Sequence, residues 1–302
     1  MLRGKIAVVT GGGGGIGRAI CLRCAQEGAF VVVAEVDEAT GKEVAALICT
    51  THDKDKSPYA PPRALFMHTD VTKEESVEAC FAKAISTYGC VDVLVNNAVR
   101  FVFGHLKPPG DGSGTGTDTV ASDEAFDKVM EVNVRGYARC IRHAVRVMRE
   151  NKLTGETYDN VVPKSPAAGG KDTQCHIDAR QRGSIVNVAS VSSFIAQPEF
   201  VPYNASKGAV LQMTKCCAMD FAPLKIRVNC VSPGTVETTG SHAHMHLAGL
   251  DVEVGRKVFG DSCLLKRQAA PEEIASGVVF LASSQASFMT GANIVMDGGG
   301  TI

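Results

Sequence analysis

Tyr203 and Lys207 stand four residues apart in a stretch with helical patterning, and Ser190 lies thirteen residues before the tyrosine. On a helix, residues four apart share a face, so the phenol and the ammonium project into one site. An ammonium near a phenol favours phenolate and lowers its pKa from the ordinary ~10. Such a base takes a proton from an alcohol, while the Ser190 hydroxyl holds the same alcohol oxygen. Tyrosine and lysine fall at this spacing by chance in many helices, so the pair draws its weight from the rest of the chain.

A second group of residues suits a dinucleotide. Thr10-Gly11-Gly12-Gly13-Gly14-Gly15-Ile16-Gly17 follows an apolar strand and opens a helix. Glycines let backbone approach a pyrophosphate, and a helix amino terminus supplies N–H donors and partial positive charge. The next strand, 30–34, ends at Glu35. A carboxylate there accepts hydrogen bonds from both ribose hydroxyls of NAD. It repels the extra phosphate of NADP by ~1 kcal/mol or more at contact. Asp37 is placed to share that role. Gly14 stands where a basic residue would meet the extra phosphate, so both observations favour NAD over NADP.

The elements that position these groups alternate. Strands are expected over 5–10, 29–35, 64–68, 91–96, 184–189, 227–231 and 293–296. Helices are expected near 16–27, 39–49, 73–88, 123–150, 201–221 and 271–282. Continuous Val, Ile and Leu runs between helices imply a parallel sheet covered on both faces. The fold class is therefore α/β, a doubly wound seven-stranded parallel sheet of the Rossmann type in a single domain over 1–302. Three segments look added to that frame: 51–62, 104–121 and 151–182. The first and last connect helix to strand, which places them at the amino end of the sheet, away from the ligand end. The segment 104–121 connects strand to helix and borders the expected site. The polar segment 151–182 is expected to be irregular.

The totals exclude several classes. The chain has 302 residues, 45% of them apolar and 21% charged, and a net charge of −1. That is an ordinary globular composition with no electrostatic case for nucleic acid or an anionic membrane. No apolar run approaches the ~20 residues of a membrane span. The eleven cysteines are scattered and odd in number. With the first strand starting near Lys5, no secretory leader is expected, and a cytoplasmic protein with reduced thiols follows. Cys21-x-x-Cys24 sits in a helix without a second pair, and reads as small hydrophobes rather than zinc ligands. His242, His244 and His246 alternate in what reads as a polar, flexible loop. No metal is expected.

In this order the motifs resemble those of the short-chain dehydrogenase/reductase family over nearly the whole chain outside the three added segments. Thr10–Gly17 matches Thr-Gly-x-x-x-Gly-x-Gly, and Asp70-Val71 matches the adenine-contacting Asp-Val. Asn96-Asn97-Ala98-Val99 matches Asn-Asn-Ala-Gly except at Val99. Asn133, Ser190, Tyr203 and Lys207 match the catalytic tetrad. Pro233-Gly234-Thr235-Val236-Glu237-Thr238 matches the stretch at the nicotinamide end, and Asp297-Gly298-Gly299 matches the family's ending. The resemblance implies Tyr203 as acid/base, with Lys207 lowering its pKa and holding the nicotinamide ribose. It implies Ser190 on the substrate oxygen and Asn133 holding a water as a proton relay. The cofactor NAD would be held by Gly11, Gly14, Gly15, Ile16, Gly17, Glu35, Asp70, Val71, Asn97, Ala98, Pro233, Gly234, Val236 and Thr238, together with Tyr203 and Lys207. Val99, being β-branched, disfavours the positive φ that a glycine there allows.

The function expected is NAD-dependent hydride transfer between a secondary alcohol or its ketone and nicotinamide. The alternatives are an NADPH-linked carbonyl reductase of the 3-oxoacyl type and a non-catalytic NAD-binding regulator. Residues 237–262 are expected to form a mobile lid, and Gln197 is a candidate substrate contact. The resemblance also implies a homotetramer or homodimer with the helices of Asn133 and Tyr203 at an interface.

Overall fold

Short runs of β-branched side chains make the centre of this molecule, because such residues suit strands buried on both faces. In a computed structural model the described residues are 1–53, 60–102, 106, 121–162, 173–247 and 249–302. Strand β1 (Ile6–Thr10) is buried at every position. Strands β2 (Phe30–Glu35), β3 (Ala64–His68), β4 (Val93–Asn96), β7 (Gly183–Val188), β8 (Ile226–Pro233) and β9 (Asn293–Met296) join it in one sheet of order β3-β2-β1-β4-β7-β8-β9. All six pairings are parallel. The seven expected strands and their order along the chain are those found.

Helices cover both faces. On one side α1 (Gly15–Gln26), α2 (Glu38–His52) and α9 (Pro271–Ala282) pack on the sheet through a core that includes Ile20, Cys21, Cys24, Ile48, Ile274 and Val278. Both cysteines of the Cys-x-x-Cys pair are therefore core residues, and burial pushes the Cys24 thiol up to about 12. On the other side α3 (Glu74–Tyr88), α5 (Tyr137–Met148) and α6 (Val201–Phe221) enclose Val77, Phe81, Ile141, Met148 and Ile226. Among the described residues no helix is long and apolar enough to cross a membrane.

The chain winds outward from β1 through β2 and β3, then returns to β4 and winds the other way. The reversal falls between β1 and β4, and a crevice opens there at the carboxyl ends of the two strands. This topology puts Thr10 and Asn97 side by side.

Three sequence expectations change. The single helix expected over 123–150 is divided: α4 (Asp123–Met130), a π-helical turn (Glu131–Gly136) and then α5. The segment 151–182, expected to be irregular, contains a two-stranded antiparallel hairpin, β5 (Thr157–Val162) and β6 (Thr173–Asp178). The segment expected to form a lid is helical, with α7 (Thr239–Leu247) and α8 (Val252–Asp261), so the histidine-rich stretch is helix and not loop. Of the other added segments, Thr51 and His52 end α2, whereas 54–59 and nearly all of 104–121 lie outside the described residues.

The base of the hairpin sits at the amino end of the sheet, as expected for a helix-to-strand connection. Thr154 and Gln181 bridge each other across it. The Thr154 hydroxyl accepts from Lys5 at 2.7 Å, just ahead of β1, and Gln181 accepts from Arg227 at the start of β8. Replacing 157–178 with a short Gly-Ser turn, so that both base residues stay, is expected to leave kcat within about threefold, since this end holds none of the chemistry. Steady-state turnover of the folded variant checks it, and a larger loss would place the hairpin in the catalytic machinery.

Candidate functional site

The four residues expected to act together come from three elements that meet beyond the carboxyl end of β7. Ser190 caps a single 3-10 turn, 191–193, and its Oγ accepts from the Ser192 amide at 3.1 Å. Tyr203 and Lys207 lie in the first two turns of α6. The Ser190 hydroxyl lies near enough to the Tyr203 phenol to pull its pKa downward. Ser193 Oγ donates to the Lys207 carbonyl at 2.8 Å, which fixes the 3-10 turn against α6.

Lys207 is 2% exposed, and its Nζ donates to the Val188 carbonyl at 2.7 Å. The ammonium lies over the Tyr137 ring at 5.5 Å and the Tyr203 ring at 5.7 Å from the centroids. Tyr137, fully buried, donates its hydroxyl to the same Val188 carbonyl at 3.2 Å. Rings and one carbonyl replace water poorly around a charge. Burial accordingly lowers Lys207 to about 7. Tyr203 is pushed up to about 12 by burial, against a smaller pull downward from Ser190. The sequence argument expected the ammonium to lower the phenol. In the free protein burial outweighs that effect, because the ammonium is directed at Val188 and the half-buried phenol has lost much of its water.

Asn133 is fully buried within the π-helical turn. Its Oδ1 accepts from the Arg100 amide at 2.8 Å, and its Nδ2 donates to the Arg100 carbonyl at 3.0 Å and to Ser206 Oγ at 2.9 Å. The side chain thus braces the segment after β4 against α6, a role beyond the water-holding relay expected from sequence. The wider turn is a common device where a helix must offer one residue to a site. Gly136 is required beside it, since a Cβ there would lie 2.8 Å from Val71 Cγ2.

The crevice is built by close approach. Thr10 Oγ1 accepts from the amides of Asn97 and Ala98 at 3.0 and 3.2 Å. Asn97 Nδ2 donates to the carbonyls of Thr10 and Gly11 at 3.2 and 2.9 Å. A Cβ on Gly11 would meet Ala98 Cα at 2.8 Å, and Gly11 also has φ +63. These residues fit the dinucleotide expected from sequence. Gly14 caps α1 with no side-chain hydrogen bond, the first turn holds no acid, and a Cβ on Gly14 would meet nothing within 4 Å. The helix amino terminus thus faces open space. Ile16 packs onto the core behind it.

Glu35 Oε2 accepts from the Gly13 amide at 3.0 Å, and its Oε1 accepts from the amides of Val36 and Asp37. The carboxylate therefore orders the glycine turn as well as ending β2, and keeps acceptor capacity of the kind two hydroxyls require. Asp37 caps α2 by accepting from Thr40. Asp70 Oδ1 accepts from the Thr72 amide and hydroxyl, and Val71 is buried beside it. Val99 is 53% exposed and is not among the residues with positive φ, so this turn has no need of glycine.

The stretch after β8 closes the other side. A Cβ on Gly234 would lie 2.7 Å from Asp297 Cβ, and Pro233 is the last residue of β8. Val236 is buried and bridges Ala269. Thr238 faces Gly15, whose Cβ would be 3.4 Å from Thr238 Cγ2, and its Oγ1 accepts from the Ser241 amide at 3.0 Å. Glu237 joins the lid helices by accepting from Arg256 of α8 at 2.9 Å while bonding His242 of α7. Gln197 Oε1 accepts from Ser192 Oγ at 2.5 Å, so it supports the Ser190 turn from behind.

Two residues that sequence reasoning missed are Phe101 and Phe200. Their rings flank Tyr203, at centroid distances of 4.7 and 6.4 Å. Phe200 directly before the helix of Tyr203, and Phe101 two residues past the Asn-Asn-Ala-Val motif, were the available signals.

Burying Lys207 has a stability consequence with a definite sign. Its folded pKa of about 7 lies below the ordinary lysine value, so the unfolded chain binds more protons between the two and stability rises with pH across that window. Lys207→Met removes the buried charge, and is expected to raise the thermal midpoint near pH 7 by a few degrees (about 1 kcal/mol or more). The gain should shrink toward pH 10. Calorimetry of both proteins at the two pH values checks this, and a variant less stable at pH 7 would contradict it.

The description "short chain dehydrogenase" matches residues 5–156, and "Enoyl-(Acyl carrier protein) reductase" matches 164–301. Relatives include the short chain dehydrogenase/reductase astE of Aspergillus oryzae, 35% identical over 99% of this chain and 95% of its own length. Cyclopentanol dehydrogenase of Comamonas testosteroni is 32% identical over 98% of this chain and 97% of its own. Among solved structures, 3-ketoacyl-(acyl-carrier-protein) reductase from Brucella melitensis, complexed with NADH, superposes with a TM-score of 0.73 at 32% identity, covering 100% of both chains. With the glycine turn at the strand reversal and the Ser, Tyr and Lys groups gathered beyond β7, the chain belongs to the short-chain dehydrogenase/reductase family of oxidoreductases.

Proposed function

We propose that this protein is an NAD-dependent dehydrogenase that moves a hydride between a secondary alcohol, or its ketone, and nicotinamide, with Tyr203 as acid/base. The observation that carries the reading is the convergence of Ser190, at the turn after β7, with Tyr203 and the buried Lys207 one helical turn apart on α6, the Lys207 Nζ 5.7 Å from the Tyr203 ring centroid. NAD would be held by the amides of the 11–17 turn, Glu35, Asp70, Val71, Asn97, Ala98, Val236 and Thr238, and would supply the hydride acceptor and a fixed positive charge. Ser190 orients the substrate oxygen. Tyr203 takes the hydroxyl proton in oxidation and returns it to the carbonyl oxygen in reduction. Lys207 places a positive charge beside the phenol and would hold the nicotinamide ribose, and Asn133 keeps the segment after β4 and α6 in register around the reacting oxygen.

With Tyr203 at about 12, the free protein carries the neutral phenol at neutral pH. That form donates a proton, so it favours ketone reduction. Oxidation needs phenolate, whose population grows as pH rises. The kcat/KM for alcohol oxidation should therefore still be rising at pH 9, while that for reduction is level from pH 7. Tyr203→Phe should lower both by about a thousandfold. Nicotinamide absorbance over pH 6–10 checks the pair, and an oxidation profile already flat at pH 7 would remove Tyr203 from the role of base.

Glu35 supports NAD over NADP by its negative charge at the end of β2. Glu35→Ser should shift the NADP-to-NAD ratio of kcat/KM by about tenfold toward NADP. An unchanged ratio would mean that another group sets the preference. The solved 3-ketoacyl reductase favours a second reading, reduction of a 3-oxoacyl thioester. Turnover of acetoacetyl thioesters, but not of simple ketones, would select it. As in the expected homotetramer or homodimer, Met219, 79% exposed on α6, is an apolar residue that such an assembly would cover, and light scattering measures the state.

A further inference from the structure

We infer that Phe101 and Phe200 are specificity-determining residues, a wall that receives an apolar ring attached to or containing the carbinol carbon of the substrate. The inference rests on the reading of Tyr203 as acid/base. The Phe101 ring lies 4.7 Å from that of Tyr203 with the planes at 56°. Phe200 meets Phe101 edge to face, at 5.2 Å and 76°. It meets Tyr203 at 6.4 Å and 73°. These separations are those at which aromatic rings hold one another in fixed tilted or edge-to-face arrangements.

The wall is not a piece of the folding core. All three rings are half-buried, and none belongs to the buried clusters on either face of the sheet. Phe101 lies in the segment after β4, Phe200 ends the loop after β7, and Tyr203 stands in the first turn of α6. Both loops are held from behind. The Arg100 peptide next to Phe101 is bonded at both its N–H and its carbonyl to Asn133. The loop before Phe200 is tied by Ser192 to Gln197, and Asn204 donates to the Ile195 carbonyl at 3.3 Å. A preorganised apolar surface beside a proton-transfer group loses little entropy on binding, and its contribution grows with the apolar area that the ligand covers.

The site therefore has two chemically distinct parts. The hydroxyls of Ser190 and Tyr203 meet one oxygen, and the aromatic wall beside the phenol meets carbon. A ring covers such a wall more completely than a short open chain of equal carbon number and gives up fewer rotors. Gln197, the sequence candidate for substrate contact, acts here as a positioning residue for the Ser190 turn and the Phe200 loop.

The test compares cyclohexanol with 2-hexanol, of equal carbon number, in the wild-type protein with NAD, and repeats both in Phe101→Ala and Phe101→Leu. Wild type should prefer cyclohexanol. Phe101→Ala should lose about tenfold in kcat/KM on cyclohexanol, carried by KM with kcat largely kept, and less than about threefold on 2-hexanol. Phe101→Leu should recover part of the loss. Equal losses on both alcohols, or none on either, would overturn the wall as a specificity element. Competition between cyclohexanone and 2-hexanone for the protein with NADH, read by saturation-transfer NMR, separates this inference from the proposed reaction. Ring-selective binding lost in Phe101→Ala, in a protein that oxidises neither alcohol, would retain the wall and reject the reaction. Binding without ring preference would reject the wall whatever the turnover.

Discussion

The buried ammonium of Lys207 is the constraint on which the site depends. A charge withdrawn from water must find partners at fixed positions, and here the partners are one carbonyl and two aromatic faces. The carbonyl belongs to Val188, the last residue of β7, so α6 has to dock where that strand ends. The Tyr137 hydroxyl shares the carbonyl, which fixes α5 to the same point. Tyr203, one turn before the lysine, then has its place decided, and the Ser190 turn is pinned to the Lys207 backbone through Ser193. A cost in stability at one residue thereby sets the relative positions of a strand end, two helices and a turn.

The cofactor side is governed by a different constraint, steric and not electrostatic. At the reversal of strand order, the glycine turn must pass within contact of Asn97 and Ala98. Gly17 is the extreme case: a Cβ there would come within 1.9 Å of the Gly11 carbonyl oxygen. Glycine lets the turn close on itself, with the Gly12 and Gly13 amides turned to the end of β2. Thr10 and Asn97 hold the turn to β4 by four hydrogen bonds, and Glu35 holds it to β2 through the Gly13 amide. One carboxylate thus orders the phosphate-facing loop and stands where a ribose is expected.

What was legible in the sequence divides along physical lines. Strands such as Phe30–Glu35 were readable because sheet burial on both faces demands continuous apolar runs, and Tyr203 with Lys207 because helical spacing alone puts them together. The π-helical turn at Asn133 left no mark, since its cause is a tertiary need to bond Arg100 and Ser206 at once. The hairpin 157–178 was hidden because its strands pair only with each other and need no apolar alternation. The lid helices were hidden for a related reason: α8 is capped by Asp251 and bound through Arg256 to Glu237, polar ties that a hydrophobic pattern does not carry. The direction of the Tyr203 shift was misjudged because spacing gives proximity and says nothing of burial.

These differences follow the polarity of the sheet. At the amino end the chain carries its added hairpin, anchored by Lys5, Thr154, Gln181 and Arg227, and side chains can vary there without reaching the crevice. At the carboxyl end the described loop segments are fastened to one another. Asn133 fastens the β4 segment, Ser193 and Gln197 fasten the β7 segment, and Glu237 fastens α7 to α8. Glu237 bonds both α7 and α8, and its neighbour Thr238 faces Gly15, so these two helices are tied to the edge of the glycine turn. The aromatic pair Phe101 and Phe200 flanks Tyr203 from the segments after β4 and β7, whose ties to Asn133, Ser192 and Asn204 hold the three rings in one arrangement.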